Sequence, residues 1–298
     1  MEWHRDRRLQ RRMVLALALT VVSWAGLLGP VFWVLGLELG LVVAGVVLLF
    51  VLVLAREADR LAYLITKAIA ISHNDYPKLF ETTARLARQA DVARPAVAVI
   101  PTDDPNALSA GIGDRTVICV TLGLLKTLDD EELEAVLAHE FAHLKNGDSA
   151  VLTTANFPAT VAVTLVNGGI RNLGSRALLL GYAGAAIYLV LLGIPLLVVS
   201  LPGTLVLSRY REYAADRGAV AITGNPTALS LALGKIHCAD PKPETDLRRV
   251  AGLNAFCIVP PRGRLLVPWT HPPTHRRMRR LRHLAAELEG TAPPDDGS

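Results

Sequence analysis

The chain has 298 residues, of which 51% are hydrophobic, and its formal net charge is +4. The mean hydropathy of +0.36 is high for a soluble protein, and the apolar residues are concentrated in blocks, which predicts membrane spans. The small net charge and the lack of interleaved basic and aromatic residues argue against nucleic-acid binding. Three widely spaced cysteines, Cys119, Cys238 and Cys257, argue against a disulfide framework.

The N-terminal part of the chain predicts a transmembrane hairpin that follows a basic tail. Residues 4–12 contain five Arg, and apolar runs follow at 13–37 and 39–55 with only Glu38 between them. A signal peptide also begins with basic residues, but the first run is longer than a typical signal sequence and keeps its small residues inside it. Because Arg and Lys accumulate in cytoplasmic loops, we expect the N terminus and the chain from residue 56 onward to be cytoplasmic.

The next segment, 56–148, has the composition of a water-soluble region. Its hydrophobic periodicity predicts an amphipathic helix at 76–90. Two β-rich runs, 96–100 and 115–122, lie on either side of a glycine-containing turn at 111–114. We therefore expect a small sheet or hairpin directly before the helix that follows.

That helix is written DDEELEAVLAHEFAHLKNGD and starts near Asp129. Asp129 and Glu132 have the spacing of a capping box, which predicts a helix start. His139 and His143 lie one turn apart, about 40° around the helix axis, so both imidazoles can face one ion. Glu140 lies beside them and could take a proton from a water bound to Zn²⁺. A pentapeptide of this form also arises by chance, so the pattern alone is not decisive.

A second apolar region predicts two further membrane helices over 149–207. A glycine-containing loop at 168–176 would connect them. The uncharged run of the second helix is longer than a bilayer requires, and Pro195 and Pro202 would bend it. From residue 208 the chain is polar again, which predicts a return to the cytoplasm.

The polar C-terminal part, 208–289, is predicted to contain a short β run at 255–259 and a basic helix at 274–289. The Arg-rich stretch 276–282 could contact anionic lipid headgroups, although a solvated helix face is the simpler interpretation. Residues 290–298 have the composition of a disordered tail.

A third metal ligand is needed, because catalytic zinc sites usually have three protein ligands and one position for water. Glu212 and Asp216 lie one turn apart on a predicted helix, where two like charges are normally unfavourable. A metal bound by Glu212, with Asp216 hydrogen-bonded to a ligating His, would remove that conflict. Alternatively, both carboxylates lie on a solvated face and Glu212 pairs with Arg209. The spacing leaves both interpretations open.

Several motifs together resemble the HtpX-type membrane zinc metalloproteases, a group related to the CAAX prenyl proteases. The resemblance covers nearly the whole chain and is carried by H-E-x-x-H at 139–143 and by S-R-x-R-E-Y-x-A-D at 208–216. Residues 106–111 are similar to the family's Asn-Ala-Phe-Ala-x-Gly segment, with Leu108 in place of Phe, a departure that could alter peptide preference. Residues 270–273 match its late His-Pro-Pro.

The resemblance implies a role for each matching residue. One Zn²⁺ per chain would be held by His139, His143 and Glu212. Glu140 would be the general base, and Asp216 would orient a ligating His. Apart from the resemblance, His271 could stabilise the oxyanion of the reaction, hold the substrate backbone, or make a structural hydrogen bond in its proline-flanked loop.

Substrate binding is expected at the strand that precedes the metal helix. Consecutive elements with short connections lie close in space, so an edge strand could line the cleft and pair with an extended peptide. The residues expected to bind substrate in this way are Asn106, Ala107, Leu108, Ser109 and Ala110.

The sequence thus predicts a mainly α-helical α+β protein with four transmembrane helices and a cytoplasmic, gluzincin-like metalloprotease domain that carries a small β-sheet. Its expected segments are 1–55, 56–148, 149–207, 208–289 and 290–298. The resemblance implies a zinc endopeptidase of the cell membrane that degrades misfolded or damaged membrane proteins. Its expected partners are polypeptide substrates and the lipid bilayer, and nothing in the sequence indicates an oligomeric state.

Three alternatives differ in where and whether chemistry occurs. A CAAX-type processing protease would share the metal site. An intramembrane protease of the site-2 kind would also use H-E-x-x-H, but the metal helix begins with five carboxylates within 129–134, which a membrane span would not tolerate. A catalytically silent scaffold or holdase would have no need of Glu140.

Overall fold

The computed structural model describes residues 7–173, 183–239 and 272–291, and the chain forms helices and one sheet within them. The helices are α1 Arg7–Arg56, α2 Ala58–Thr66, α3 Pro77–Ala90, α4 Leu122–Thr127, α5 Asp130–Lys145, α6 Asp148–Leu173, α7 Ala183–Thr223, α8 Pro226–Cys238 and α9 Thr274–Leu288. The strands are β1 Ile69–Ala70, β2 Ala96–Ile100, β3 Ala107–Ile112 and β4 Arg115–Thr121. The predicted β run at 255–259, His271 and residues 292–298 of the predicted tail lie outside the described residues.

The chain reverses direction within α1, at Gly36. This residue has φ 75° and ψ 178°, a conformation that glycine adopts without steric cost. Trp24 and Phe50 lie on opposite sides of it, and both pack on Phe157, with ring centroids 5.7 and 6.1 Å away. A straight helix would separate those two residues by roughly 39 Å. The two halves of α1 therefore lie side by side as a hairpin.

Three described helical segments are long and apolar enough to cross a membrane: 14–56, 148–172 and 184–223. The prediction of a loop from residue 168 is wrong for its first part, because α6 continues to Leu173. Gly169 allows this helix to approach α7 closely, since a Cβ there would lie 2.7 Å from the Ala186 carbonyl oxygen. In α6, Pro158 cannot donate to the Thr154 carbonyl, which instead accepts from the Trp24 indole at 3.1 Å.

Helix α7 is continuous from the apolar segment into the polar C-terminal part. It passes through residue 208, where the sequence suggested a boundary, and contains Pro195 and Pro202 without ending. It ends at Thr223, before Gly224 with φ 70° and the N-capping Asn225 of α8. One helix therefore connects the membrane region with the polar domain.

The sheet has the strand order β1-β2-β4-β3, so β3 is an edge strand. β2 and β4 are parallel, whereas β3 and β4 form an antiparallel hairpin whose turn uses Gly113 at φ 65°. This is the small sheet expected from the sequence, although β1, α2 and α4 were not predicted.

Both faces of the sheet are covered, which explains its almost unbroken apolar strands. On one face, Val99, Ala107 and Ile118 belong to a core with α3, α5, α8 and α9. On the other, Leu108 and Ala110 pack with α2 and with apolar residues of α1, α6 and α7. The sheet thus separates the α5 side of the domain from the ends of the membrane helices.

Helix α5 begins and ends as its sequence indicates. Asp129 accepts from the Glu132 N–H, and the Glu132 carboxylate accepts from the Asp129 N–H, which completes the predicted capping box. After Lys145 the chain turns at Gly147, with φ 64°, directly into α6. This tight turn brings Asp148 back toward the last turn of α5.

Candidate metal centre

Three residues from two helices converge at the end of α5. His139 and His143 of α5 and Glu212 of α7 are buried, and each offers one donor atom within 4.8 Å of the others. The two Nε2 atoms lie 3.1 Å apart. Nε2 of His139 is 3.7 Å from Glu212 Oε2, and Nε2 of His143 is 3.8 Å from Glu212 Oε1. Two imidazoles and a carboxylate are thus positioned for one metal ion.

A carboxylate contacts the other nitrogen of each imidazole. Nδ1 of His139 lies 3.1 Å from Asp216 Oδ1, and Nδ1 of His143 lies 2.5 Å from Asp148 Oδ2. A proton shared on the Nδ1 side leaves each Nε2 lone pair free for a metal. The Asp216 contact is the one expected from the sequence. The sequence suggested no chemistry for Asp148, although its position directly after the Asn-Gly turn could have indicated it.

The Glu140 carboxylate lies between the metal donors and β3. Its Oε2 accepts a hydrogen bond from Ser109 Oγ at 2.7 Å, whereas its Oε1 has no hydrogen-bond partner among the described residues. Burial raises the pKa of this carboxyl, and the neighbouring imidazoles of His143 and His139 act in the opposite direction. A buried carboxylate oxygen without a partner is one that a water or substrate group could satisfy.

Burial also affects the protonation of the His143 imidazole. It is the main reason that the pKa of His143 falls to about 4, with a further contribution from His139. His143 is therefore neutral at pH 7, which is the form that binds metals.

Arg277 of α9 also reaches the site, where it contacts residues of α5 and α7. It is buried and contacts Asp216 with Nε and Nη2, at 2.9 and 2.6 Å, and Glu212 Oε2 with Nη1 at 2.7 Å. The interpretation of 276–282 as a solvated face is therefore wrong for this residue. Its spacing from Leu281, which is also buried, places both on one face of α9, and that spacing was the available signal.

The balance of charge tests whether these residues fit a divalent metal. Buried ions are tolerated only when other charges or a metal compensate them. Among the described residues, four carboxylates and two guanidinium groups surround the donor atoms, and Arg211 pairs with Asp148. The formal balance of this cluster is two negative charges, which a divalent cation would neutralise. The cluster consists of Glu140, Asp148, Glu212 and Asp216 with Arg211 and Arg277.

The residues expected to bind substrate, 106–110, do not all face the metal centre, because successive side chains of β3 point to opposite faces of the sheet. Ser109 reaches Glu140, and Ala107 lies on the same face, but the side chains of Leu108 and Ala110 pack on the opposite face. Asn106 is buried at the start of β3, where its side-chain oxygen accepts from the Ala107 N–H. The structure thus brings only part of the predicted substrate segment to the metal side.

Comparison with known proteins agrees with this geometry. The family model described as Peptidase family M48 matches residues 74–285, which include both metal-site helices and most of α9. The chain belongs to peptidase family M48. "Protease HtpX homolog 2" of Methanosarcina acetivorans is 35% identical over 300 residues, covering 96% of this chain and 99% of the relative.

Other relatives of this M48 protein extend the comparison. "Protease HtpX homolog 1" of Streptomyces coelicolor is 35% identical over 311 residues and covers 97% of this chain and 96% of the relative. Among solved structures, the crystal structure of S. mikatae Ste24p covers 91% of this chain and 67% of its own, with a TM-score of 0.50 and 17% identity. The chain therefore has the Ste24p fold and the family features of a membrane metalloprotease.

Proposed function

We propose that this protein is a membrane-integrated, zinc-dependent endopeptidase with a cytoplasmic active site. The observation that carries the proposal is the convergence of His139, His143 and Glu212 beside the buried Glu140. Two imidazoles and one carboxylate are a typical donor set of catalytic zinc in proteases, and they leave one position open for water. Zn²⁺ bound there would polarise the scissile carbonyl and lower the pKa of water.

Glu140 would carry the proton during hydrolysis. Its Oε1 is the oxygen without a partner, so it would take the proton from the attacking water while Ser109 holds Oε2 in place. The hydroxide then bonds to the carbonyl carbon, the C–N bond breaks, and Glu140 delivers the proton to the departing amine. A pKa raised by burial suits a carboxylate that must both accept and donate a proton.

The test of this role uses casein hydrolysis by the purified protein. We expect a chelator to abolish the activity and added zinc to restore it. Glu140→Gln should lose activity by about 100-fold or more while still holding about one zinc per chain. Glu131→Gln is the matched control, because it makes the same change at an exposed position of α5. If Glu140→Gln loses zinc together with activity, Glu140 is structural and the proposed mechanism fails.

The edge of β3 that faces away from β4 supports the proposal that substrate binds as an added strand, in which the Ala107 N–H would have to leave the Asn106 side chain. Asn106 faces β4, since its carbonyl accepts from the Thr121 N–H. Because facing alternates along an antiparallel strand, the main-chain groups of Ala107, Ser109 and Gly111 point away from β4. Ala107 and Ser109 are buried, so a peptide could reach this edge only after the site opens.

Chemically modified substrate peptides can test this proposal. Proline substitutions at Asn106 or Ala110 would be a weaker test, because the N–H groups of these two residues face β4 and not the substrate. We expect N-methylation of a cleavable peptide to raise KM at alternating positions near the scissile bond, because each second N–H would pair with β3. Peptides that carry the methyl group at the intervening positions are the controls, and the protein should still cleave them. Equal tolerance at all positions would mean that the substrate is not held as a strand.

The short distance along α7 between the apolar segment and the metal centre supports a role in the quality control of misfolded or damaged membrane proteins, as the resemblance to HtpX-type proteases implies. Glu212 follows Leu207, the last apolar residue of its run, by only about 8 Å along α7. A site so near the bilayer could receive segments of membrane proteins. A CAAX-type processing role is the alternative, and cleavage of unprenylated, unfolded membrane proteins would separate the two.

The cytoplasmic orientation has its own test. Reporter fusions after Asp148 should report the cytoplasm, and fusions after Asn172, at the end of α6, should report the outside. A fusion after Asp148 that reports the outside would overturn the proposed orientation without affecting the metal site.

A further inference from the structure

Arg277 differs from every other arginine of α9. It is 2% exposed and is the largest fully buried side chain of the described residues, whereas Arg276, Arg279, Arg280 and Arg282 are exposed. Burying a guanidinium group is unfavourable unless its donors are paired, so its environment must compensate for it. The compensating groups are residues of the metal centre.

Its planar guanidinium group contacts two carboxylates at once. Nε and Nη2 bind the two oxygens of Asp216, at 2.9 and 2.6 Å, in the bidentate geometry that arginine prefers. Nη1 reaches Glu212 Oε2 at 2.7 Å. The same Asp216 Oδ1 lies 3.1 Å from His139 Nδ1. Nη2 itself also lies 3.5 Å from His139 Nδ1 and 3.4 Å from His139 Nε2. Arg277 therefore contacts Glu212 directly and His139 both directly and through Asp216.

This geometry accounts for a pair of like charges on α7. Glu212 and Asp216 are both buried, one turn apart, and their mutual repulsion would turn the carboxylates away from each other. A cation fixed between them lets both point to the same place, before and after a metal arrives. A lysine could supply the charge but not the fixed fork that contacts both groups.

We infer that Arg277 is a positioning residue of the metal centre: it fixes the rotamer of Glu212 and, both directly and through Asp216, that of His139, so that metal affinity depends on its shape and not only on its charge. This inference rests on the proposed zinc site. It also makes α9, the helix most distant in sequence from the H-E-x-x-H motif, a part of that site.

The positive charge of Arg277 should weaken zinc binding, whereas its positioning of the ligands should strengthen it. This opposition makes the inference testable. A purely electrostatic effect would disfavour zinc, since Arg277 is a positive charge beside the cation. Arg277→Met would then bind zinc more tightly than the wild type, and Arg277→Lys would bind it equally well. A positioning role predicts weaker binding in both variants, because both lose the bidentate fork.

The experiment is competitive zinc titration of the full-length protein in detergent against a chromogenic chelator. We expect Arg277→Lys and Arg277→Met to bind zinc about 10- to 100-fold more weakly, the usual effect of removing a group that orients a metal ligand. Arg279→Lys and Arg279→Met are matched controls on the exposed face of α9 and should bind as the wild type does. If Arg277→Met does not fold, the lysine variant alone decides the outcome.

The outcomes separate the inference from the proposed function. Wild-type protein that binds no zinc would overturn the proposed zinc site and the inference with it. Wild-type binding with an unchanged affinity in Arg277→Lys would overturn only the inference. An equal loss of thermal stability in the zinc-loaded and chelated forms, without a change in affinity, would show that Arg277 only stabilises the fold.

Discussion

Helices α5 and α7 both supply the metal centre, but they are held in place by different parts of the molecule. α5 has 16 residues, begins at a capping box and is buried from Ala135 to His143 within the polar domain. α7 has 41 residues, and its first half exposes large apolar side chains such as Leu191 and Val198. Only its second half enters the domain, where Glu212 and Asp216 are buried.

The two His of the site are positioned by a helix that packs within the polar domain, whereas the carboxylate lies on a helix that packs both in that domain and in the membrane region. α7 contacts α6 through glycines: a Cβ at Gly169 would meet the Ala186 carbonyl oxygen, and a Cβ at Gly193 would meet Val166. Because α7 is one continuous helix, its contacts in the membrane region help to determine where Glu212 lies. A change in either region should therefore reach the metal.

The largest expected effect comes from removing one ligand from each helix. His143→Ala on α5 and Glu212→Ala on α7 should each reduce bound zinc from about one per chain to near none, because three protein ligands are needed for a stable catalytic site. Metal analysis of the purified variants measures this. Glu131→Ala, exposed on α5, is the control. Full zinc content in Glu212→Ala would mean that α7 supplies no ligand and that the comparison between the helices is wrong.

A smaller effect on zinc binding is expected from removing the contact between Asp148 of α6 and His143 of α5. Asp148→Asn removes the carboxylate charge that holds His143 Nδ1, and we expect zinc to bind about 10- to 100-fold more weakly. Asp103→Asn makes the same change at an exposed carboxylate that pairs with Lys126, and zinc affinity should not change. Zinc titration with a competing chelator distinguishes the two. Equal affinities would show that the contact with Asp148 does not orient the ligand.

The features of the metal centre differ in how well they can be predicted from the sequence. The pair His139 and His143, the capping box and the hairpin depend on local spacing, and the structure has all three. Asp148 and Ser109 reach the site through a tight turn and through the pairing of strands. The Asn-Gly pair before Asp148 is a local signal of that turn, whereas the sequence neighbours of Ser109 do not reveal its contact.

Arg277 is the clearest case in which the composition of a segment fails to predict the environment of one of its residues. Within a run of exposed arginines, only its position on the apolar face of α9 distinguishes it, and its partners on α7 lie about 60 residues away. A basic stretch is usually solvated because charge is costly to bury, so the general rule pointed to the wrong environment. Arg277 is an exception because the carboxylates of the metal centre compensate its buried charge.

The smallest expected effect concerns two neighbouring glycines of α6. Gly169→Ala places a Cβ against the backbone of α7 and should destabilise the protein by about 1–3 kcal/mol. Gly168→Ala meets no atom within 4 Å and should be neutral or slightly stabilising, because alanine favours helix over glycine. Thermal unfolding in detergent, with and without zinc, measures both. If the two variants behave alike, the close approach of α6 and α7 does not support the site.

The central claim is that one zinc ion is held by two imidazoles of α5 and a carboxylate of α7. X-ray absorption at the zinc edge of the purified wild-type protein tests it most directly. We predict two imidazole nitrogens at about 2.0–2.1 Å together with oxygen donors, and loss of this spectrum in Glu212→Ala. A sulfur shell at about 2.3 Å, or an unchanged spectrum in Glu212→Ala, would contradict the claim.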